Sequence, residues 1–136
     1  MDRIRVLIAD DQISVRQGLK VLLAFWPNIE VVGAAANGEE AVQLTEKYQP
    51  DVALMDIRMP VMDGLEATRL IKSRWPLVRI VVLTISPLSQ AHALNAGADA
   101  FLVKGCAASE LVRAIQNPSF DPQGKSDCDA ITEKRN

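Results

Sequence analysis

Acidic residues follow two short apolar stretches of the sequence, and their type and position could serve a cation or a phosphoryl group. Asp10 and Asp11 come directly after Ile4–Ala9, and Asp56 comes directly after Val52–Met55. Carboxylates that lie together repel one another unless a cation sits among them. Mg²⁺ suits such a set, because it takes hard oxygen ligands and usually binds through one or two carboxylates together with phosphate groups. If these acids converge, the sequence predicts a magnesium site.

A hydroxyl and an ammonium group follow two later apolar stretches in the same way. Thr84 comes after Val78–Leu83, and Lys104 comes after Ala100–Val103. An aspartate can act as a nucleophile and form an aspartyl phosphate. A metal ion and an ammonium group neutralise the oxygens of the transferring group, and a hydroxyl donates to one of them. The set is therefore suited to phosphoryl transfer onto Asp56.

Each of these residues has a more ordinary explanation when it is taken alone. Asp56 can begin a turn, and Asp10 with Asp11 can cap a helix. Thr84 can be a structural strand residue, and Lys104 can be a solvated surface charge. Their joint placement after four apolar stretches favours the site over these separate explanations.

Apolar periodicity predicts the elements that position these side chains. Five buried strands are expected at Ile4–Ala9, Ile29–Ala35, Val52–Met55, Val78–Leu83 and Ala100–Val103, with five helices between and after them. The first helix is predicted to carry an apolar stripe from Val15 to Trp26, and the fourth is a short helix over residues 89–96 that ends at Gly97. Asn37 and Asp63 are predicted N-caps, each with a glutamate three residues later.

Strands that alternate with helices predict an α/β fold with a doubly wound parallel sheet and right-handed crossovers. In the flavodoxin-like strand order 2-1-3-4-5, the first and third strands flank the point where such sheets bind ligands. The carboxyl ends of adjacent strands then lie about 4.8 Å apart at one edge of the sheet. This order would bring the three acids together.

Length and composition bound the class of protein. The 136 residues suit one domain, which we place at residues 1–117, followed by a mobile tail or linker at 118–136. The net charge of −2 gives no basic footprint for DNA binding by this chain alone. No apolar run is long enough to span a membrane, and the expected location is cytoplasmic. His92, Cys106 and Cys128 lack the spacing of a zinc site.

These motifs, in this order, resemble the receiver domain of two-component response regulators over about residues 3–117. The resemblance rests on the two acids after the first strand, on Asp56 followed by Met59-Pro60 and Asp63-Gly64, on Thr84, and on Lys104 after Gly97-Ala98-Asp99-Ala100-Phe101. It implies a CheY-like fold that accepts a phosphoryl group from a sensor histidine kinase and changes shape. Receivers of the NarL/FixJ-like subfamily, which precede helix-turn-helix output domains, are the most similar, so transcription regulation is expected if the chain is part of a longer one.

The resemblance also implies a role for each residue. Asp56 is the phosphoacceptor and also a Mg²⁺ ligand, Asp11 is a direct Mg²⁺ ligand and Asp10 is a ligand through water. The backbone carbonyl of Arg58 completes the set of protein ligands. Thr84 is the switch hydroxyl and Lys104 the catalytic ammonium group. Phe101 is the switch aromatic, although its position in a buried strand is also that of a core residue. The expected kinase contacts are Gln12, Ile13, Ser14, Gly105 and Cys106, and a homodimer is an expected output.

The sequence departs from the family pattern near the fourth strand, and it fits two other classes of protein less well. The segment from Thr84 to Lys104 is slightly short, and the bulky Ile85 follows Thr84 where a small residue is usual. A phosphate-ester hydrolase would need an acid at the position of Arg58 to protonate the leaving group. A flavodoxin-like electron carrier would need a phosphate-binding loop after the first strand, where two carboxylates stand instead.

Overall fold

Apolar runs form the strands of one parallel sheet in the computed structural model, which describes residues 3–118. Within these residues the strands are β1 (Ile4–Ala9), β2 (Ile29–Ala35), β3 (Val52–Met55), β4 (Arg79–Thr84) and β5 (Ala100–Val103), in the order β2-β1-β3-β4-β5. The predicted fold and strand order are therefore confirmed. The fourth strand begins one residue later than predicted, because the N–H of Val78 donates to the turn carbonyl of Trp75 and that of Arg79 is the first to reach across to Asp51.

Helices cover both faces of this sheet. They are α1 (Ile13–Leu23), α2 (Gly38–Tyr48), α3 (Gly64–Arg74), α4 (Gln90–Asn95) and α5 (Ala108–Gln116), with a 3-10 turn at Pro87–Ser89. Both predicted N-caps are present: the side chain of Asn37 accepts from the N–H of Glu40, and that of Asp63 from the N–H of Glu66. These caps fix where α2 and α3 begin.

The prediction that the first helix continues to Trp26 is wrong, since α1 ends at Leu23. The N–H groups of Phe25 and Trp26 donate to the carbonyls of Leu22 and Leu23, three residues back, which tightens the chain into a turn. Pro27 disfavours helical geometry at the residue before it. Trp26 nevertheless packs against the core from this turn.

The fourth helix is also shorter than predicted, with a 3-10 turn in front of it. Gly97 follows this helix with φ 106°, which confirms the predicted stop because a left-handed backbone suits glycine. The predicted tail at 118–136, including Cys128, lies outside the described residues beyond Pro118. In the described part of the chain, no helix has the length and apolar character that crossing a membrane requires.

The sheet is buried on both faces. On one face, Ala41 of α2, Ala67 and Ile71 of α3, and Ala93 of α4 pack on the strands. On the other, Leu23 of α1 and Leu111 of α5 do so. All four residues of β3 are buried, as its uninterrupted apolar sequence requires. Rigid packing on both sides fixes the strand ends, and with them the polar residues that follow.

Candidate functional site

Three carboxylates converge at the carboxyl edge of the sheet. The N–H of Asp10 donates to the carbonyl of Ala35 at 3.0 Å, and the N–H of Asp56 donates to the carbonyl of Ala9 at 2.9 Å. Neighbouring strands thus hold the backbone of both acids, whose residues are only 2% and 7% exposed. One oxygen each from Asp10, Asp11 and Asp56 lies within 4.8 Å of the others. Three carboxylate oxygens at this spacing could hold a metal ion.

Lys104 reaches into this group of acids from the end of β5. Its Nζ lies 2.7 Å from Oδ2 of Asp10 and 3.3 Å from Oδ2 of Asp56. Its backbone N–H donates to the carbonyl of Thr84 at 2.7 Å, which joins the ends of β4 and β5. The ammonium group therefore offsets part of the negative charge of two buried carboxylates.

The electrostatics of the site leave Asp56 in an unfavourable environment. Burial, followed by the charge of Asp10, raises the pKa of Asp56, and the charge of Lys104 and the N–H of Ile57 offset this only in part. Burial opposes the charge of Lys104, but its bonds to Asp10 and Asp56 and their charges outweigh this and raise the pKa of its ammonium group. The carboxylates thus retain more negative charge than the lysine neutralises.

The loop after β3 approaches the backbone of Asp56 closely. Oδ1 of Asp56 accepts from the N–H of Ile57 at 2.9 Å, and the N–H of Gly64 donates to the carbonyl of Ile57 at 2.8 Å. A Cβ at position 64 would overlap with the carbonyl oxygen of Asp56. Gly64 is therefore required by the close return of the chain to the acid, a physical reason for the Asp-Gly pair seven residues after it.

A concave pocket of about 360 Å³ opens above Asp56. It is lined by Asp11, Gln12, Val15, Asp56, Arg58, Thr84, Ile85 and Lys104. Asp11 and Asp56 in this lining, together with the neighbouring Asp10, supply only oxygen ligands and carry more negative charge than Lys104 neutralises. This donor set fits a hard divalent cation such as Mg²⁺, and the pocket leaves room for a phosphoryl group beside it.

The two predicted switch residues lie on adjacent strands. Thr84 is 3% exposed and lines the pocket at the end of β4. Phe101 pairs with Val82, two residues before Thr84, and is 2% exposed within the core cluster on that face. Phe101 already occupies an inward position, as expected of a core aromatic residue. Ile85, 70% exposed, stands at the mouth of the pocket.

The predicted kinase contacts are neighbours in sequence of residues that line this pocket: Gln12 lines it itself, and Gly105 and Cys106 follow Lys104. Gln12, Ile13, Ser14 and Gly105 are exposed, and Cys106 is half-buried. A second, more apolar pocket of about 340 Å³ lies between α1 and α5 and includes Gly105 and Cys106. Both pockets are bordered by Val15 and Lys104. The structure therefore brings the two predicted segments to one surface.

Sequence reasoning missed two residues at this edge, Val15 and Arg16. Helical spacing places Val15 only in the core stripe of α1, although the residue borders both pockets. Arg16 donates from Nη1 to the backbone carbonyl of Asp10 at 2.7 Å. A basic residue one helical turn after an acidic strand end was the available signal, but a backbone acceptor leaves no trace in side-chain patterns.

Comparison with known proteins agrees with this geometry. Residues 6–116 match the family model of the response regulator receiver domain. The chain is similar to the transcriptional regulatory protein DegU of Brevibacillus brevis, with 43% identity over 117 residues, which is 85% of this chain and 50% of DegU. It spans about half the length of the curated relatives it matches.

Two solved structures are similar in fold and sequence. The receiver domain of the response regulator NarL from Mycobacterium tuberculosis has a TM-score of 0.78 and 34% identity, covering 85% of this chain and 94% of that one. The response regulator domain of Thermotoga maritima CheB has the same TM-score and identity, with coverage of 88% and 99%. These similarities extend over nearly all the described residues.

Proposed function

The chain belongs to the response regulator receiver domain family, and from that membership we propose that it accepts a phosphoryl group on Asp56 from a sensor histidine kinase, with Mg²⁺ bound. Receiver domains are the phosphorylation-controlled part of two-component response regulators, and the relatives include NarL-type and DegU-type regulators. The observation that carries the proposal is the convergence of Asp10, Asp11 and Asp56 beside Lys104 at an open pocket. The family sets aside the hydrolase and electron-carrier alternatives.

In the proposed transfer, a carboxylate oxygen of Asp56 attacks the phosphorus of a phosphohistidine on the kinase. An O–P bond forms as the P–N bond breaks, and the electron pair of that bond returns to the imidazole nitrogen, which takes up a proton. Mg²⁺, when bound, supplies positive charge to the phosphoryl oxygens. Burial of Asp56 removes water from the nucleophile, and its Oδ1 is oriented by the N–H of Ile57.

The remaining residues have separate proposed roles. Asp11 and Asp56 would bind the metal directly and Asp10 through water, and the backbone carbonyl of Arg58, a residue that lines the pocket, would complete the protein ligands. Lys104, already 3.3 Å from Asp56, would pair with the phosphoryl group. Once Asp56 carries that group, Lys104 would be drawn toward the phosphoryl oxygens, so its contact with Asp10 would weaken.

The proposed signal runs through Thr84 and the strand next to it. A phosphoryl group adds charge and acceptor oxygens at Asp56, which would draw the Thr84 hydroxyl toward it. Because Phe101 is already buried, the change would stabilise its inward position rather than create it. A differential of a few kcal/mol is enough to bias such an equilibrium. The surface of α4, β5 and α5 would then favour a partner or a second copy.

The wider role is proposed from the relatives. DegU is a transcriptional regulatory protein, and the match to this chain covers half of its length. We propose that this receiver controls transcription through an output domain in a longer protein, in the cytoplasm, and that the kinase docks around Gln12, Ile13, Ser14, Gly105 and Cys106. The receiver itself would not bind DNA, since its net charge is −2.

The direct test is phosphoryl transfer from a small-molecule phosphodonor, followed by intact-mass measurement. The wild-type chain should gain one phosphoryl group with Mg²⁺ and none after the metal is chelated. Asp56→Asn should gain none. Asp51→Asn, the same change in an exposed residue at the other edge of the sheet, should label like the wild type. Labelling of Asp56→Asn at the wild-type level would refute Asp56 as the phosphoacceptor.

A further inference from the structure

Two adjacent acids of the site are held in very different ways. The side chain of Asp10 accepts from the N–H of Gln12 at 2.9 Å and from Lys104 at 2.7 Å. The side chain of Asp11 is exposed and makes no hydrogen bond or ion pair within residues 3–118. The proposed direct metal ligand is therefore the less constrained acid, and its position depends on its backbone.

Arg16 fixes the peptide unit that joins these two acids. Its Nη1 donates to the carbonyl oxygen of Asp10 at 2.7 Å from the first turns of α1, where the side chain is half-buried. A peptide unit is planar, so its carbonyl oxygen and the next Cα move together. Holding the carbonyl of Asp10 therefore restrains the Cα of Asp11, the atom from which its side chain leaves the backbone.

We infer that Arg16 is a positioning residue, which holds the Asp10–Asp11 peptide so that the Asp11 carboxylate faces the metal position beside Asp56. This inference rests on the proposed Mg²⁺ site. The guanidinium also carries a positive charge near that site, and the two effects have opposite signs. Loss of the charge alone strengthens cation binding, because a like charge is removed. Loss of positioning weakens it, because Asp11 becomes free to turn away.

The sign of the change in Mg²⁺ affinity therefore separates positioning from electrostatics. We expect Arg16→Met to weaken Mg²⁺ binding about tenfold, the lower end of the effect of removing a group that orients a metal ligand. Arg16→Lys, which retains the charge and one donor, should recover part of this loss. Lys20→Met is the matched control, because it removes the same charge from the exposed side of the same helix and should leave the affinity within about twofold.

Calorimetric titration with Mg²⁺ alone measures these affinities, and thermal unfolding without metal checks that each variant is folded. An amide spectrum in which Asp11 and Gln12 shift in metal-free Arg16→Met, but not in Lys20→Met, is also expected. Equal or tighter Mg²⁺ binding in Arg16→Met would overturn the inference while the wild-type site stands. A wild-type chain that binds no Mg²⁺ would overturn the proposed site and this inference together.

Discussion

The two edges of the sheet use charged side chains in opposite ways. At the amino edge, Nη1 and Nη2 of Arg79 donate to the carbonyls of Ile115 and Ala114 at 3.1 and 2.7 Å. Nζ of Lys72 donates to two backbone carbonyls and to Asp99, each at 3.0 Å. These cations satisfy the ends of helices and turns. At the carboxyl edge, three acids face Lys104, and burial raises the pKa of Asp56.

This difference assigns stability to one edge and binding to the other. A charge paired with the backbone satisfies buried acceptors and closes the fold, so nothing further is gained there from a ligand. An excess of buried carboxylate is unfavourable until a cation arrives, so the carboxyl edge gains free energy on binding. Single substitutions at the two edges test this division.

Removing the Arg79 guanidinium should destabilise the fold without altering the site. Arg79→Met leaves the carbonyls of Ala114 and Ile115 without their donors, and hydrogen bonds to a charged group contribute about 1.5–3 kcal/mol each. Arg79 is half-buried, so solvent reduces the contribution of these hydrogen bonds. We therefore expect the free energy of unfolding, measured with urea, to fall by about 2 kcal/mol. Mg²⁺ affinity should stay at the wild-type value.

Arg69→Met, on the exposed surface of α3, is the control and should change stability by less than about 0.5 kcal/mol. A tenfold change in Mg²⁺ affinity in Arg79→Met would show that the edges are coupled.

Removing the Asp11 carboxylate should weaken Mg²⁺ binding without destabilising the fold. Asp11→Ala deletes an exposed acid without an internal partner in residues 3–118, so stability should hold or rise slightly as repulsion is relieved. Mg²⁺ affinity should fall at least about tenfold, because the loss of a direct ligand should exceed that of an orienting group. Glu46→Ala, an exposed acid on α2, is the matched control. Wild-type affinity in Asp11→Ala, measured by calorimetry, would remove Asp11 from the ligand set.

The sequence predicted the acids of the carboxyl edge but not the contacts of the amino edge, for a physical reason. Strand ends are visible locally, because an apolar run stops at Asp10 or Asp56 and parallel strands bring such ends together. The bonds from Arg79 cross 35 and 36 residues to backbone carbonyls, which any residue type supplies equally. For the same reason, the sequence did not predict the hydrogen bond from Arg16, whose acceptor is also a backbone carbonyl.

The ends of the helices were also predictable from the sequence only where a side chain makes the hydrogen bond. Asn37 and Asp63 were recognisable as caps because their own side chains accept the hydrogen bond. The end of α1 depends on three-residue backbone bonds before Pro27, and apolar spacing alone carried the predicted helix past it. The inward position of Phe101 could not be distinguished from a switch role by sequence, because both require an aromatic residue in β5.

The pH dependence of stability in Asp56→Asn is the smallest expected effect, and it tests the unpaired charge at the carboxyl edge most specifically. Burial, and then Asp10, raises the pKa of Asp56 above its ordinary value of 3.8 in the folded chain. At pH values between 3.8 and that raised pKa, the folded state binds more protons than the unfolded state. Stability therefore falls as the pH rises through this window, and the loss persists at neutral pH. Asp56→Asn is neutral and lacks this loss, while Lys104 keeps its partner Asp10.

Without metal, Asp56→Asn should thus be more stable than the wild type at pH 7 by about 1 kcal/mol, the scale of a typical single substitution. The advantage should shrink as the pH falls through the window and vanish below the ordinary carboxylate pKa. Adding Mg²⁺ should stabilise the wild type more than the variant, because binding to the folded state adds stability by mass action. If metal-free Asp56→Asn is less stable than the wild type at pH 7, the pairing of Asp56 with Lys104 outweighs the cost of burying the carboxylate. The charged side chains at both edges would then stabilise the fold.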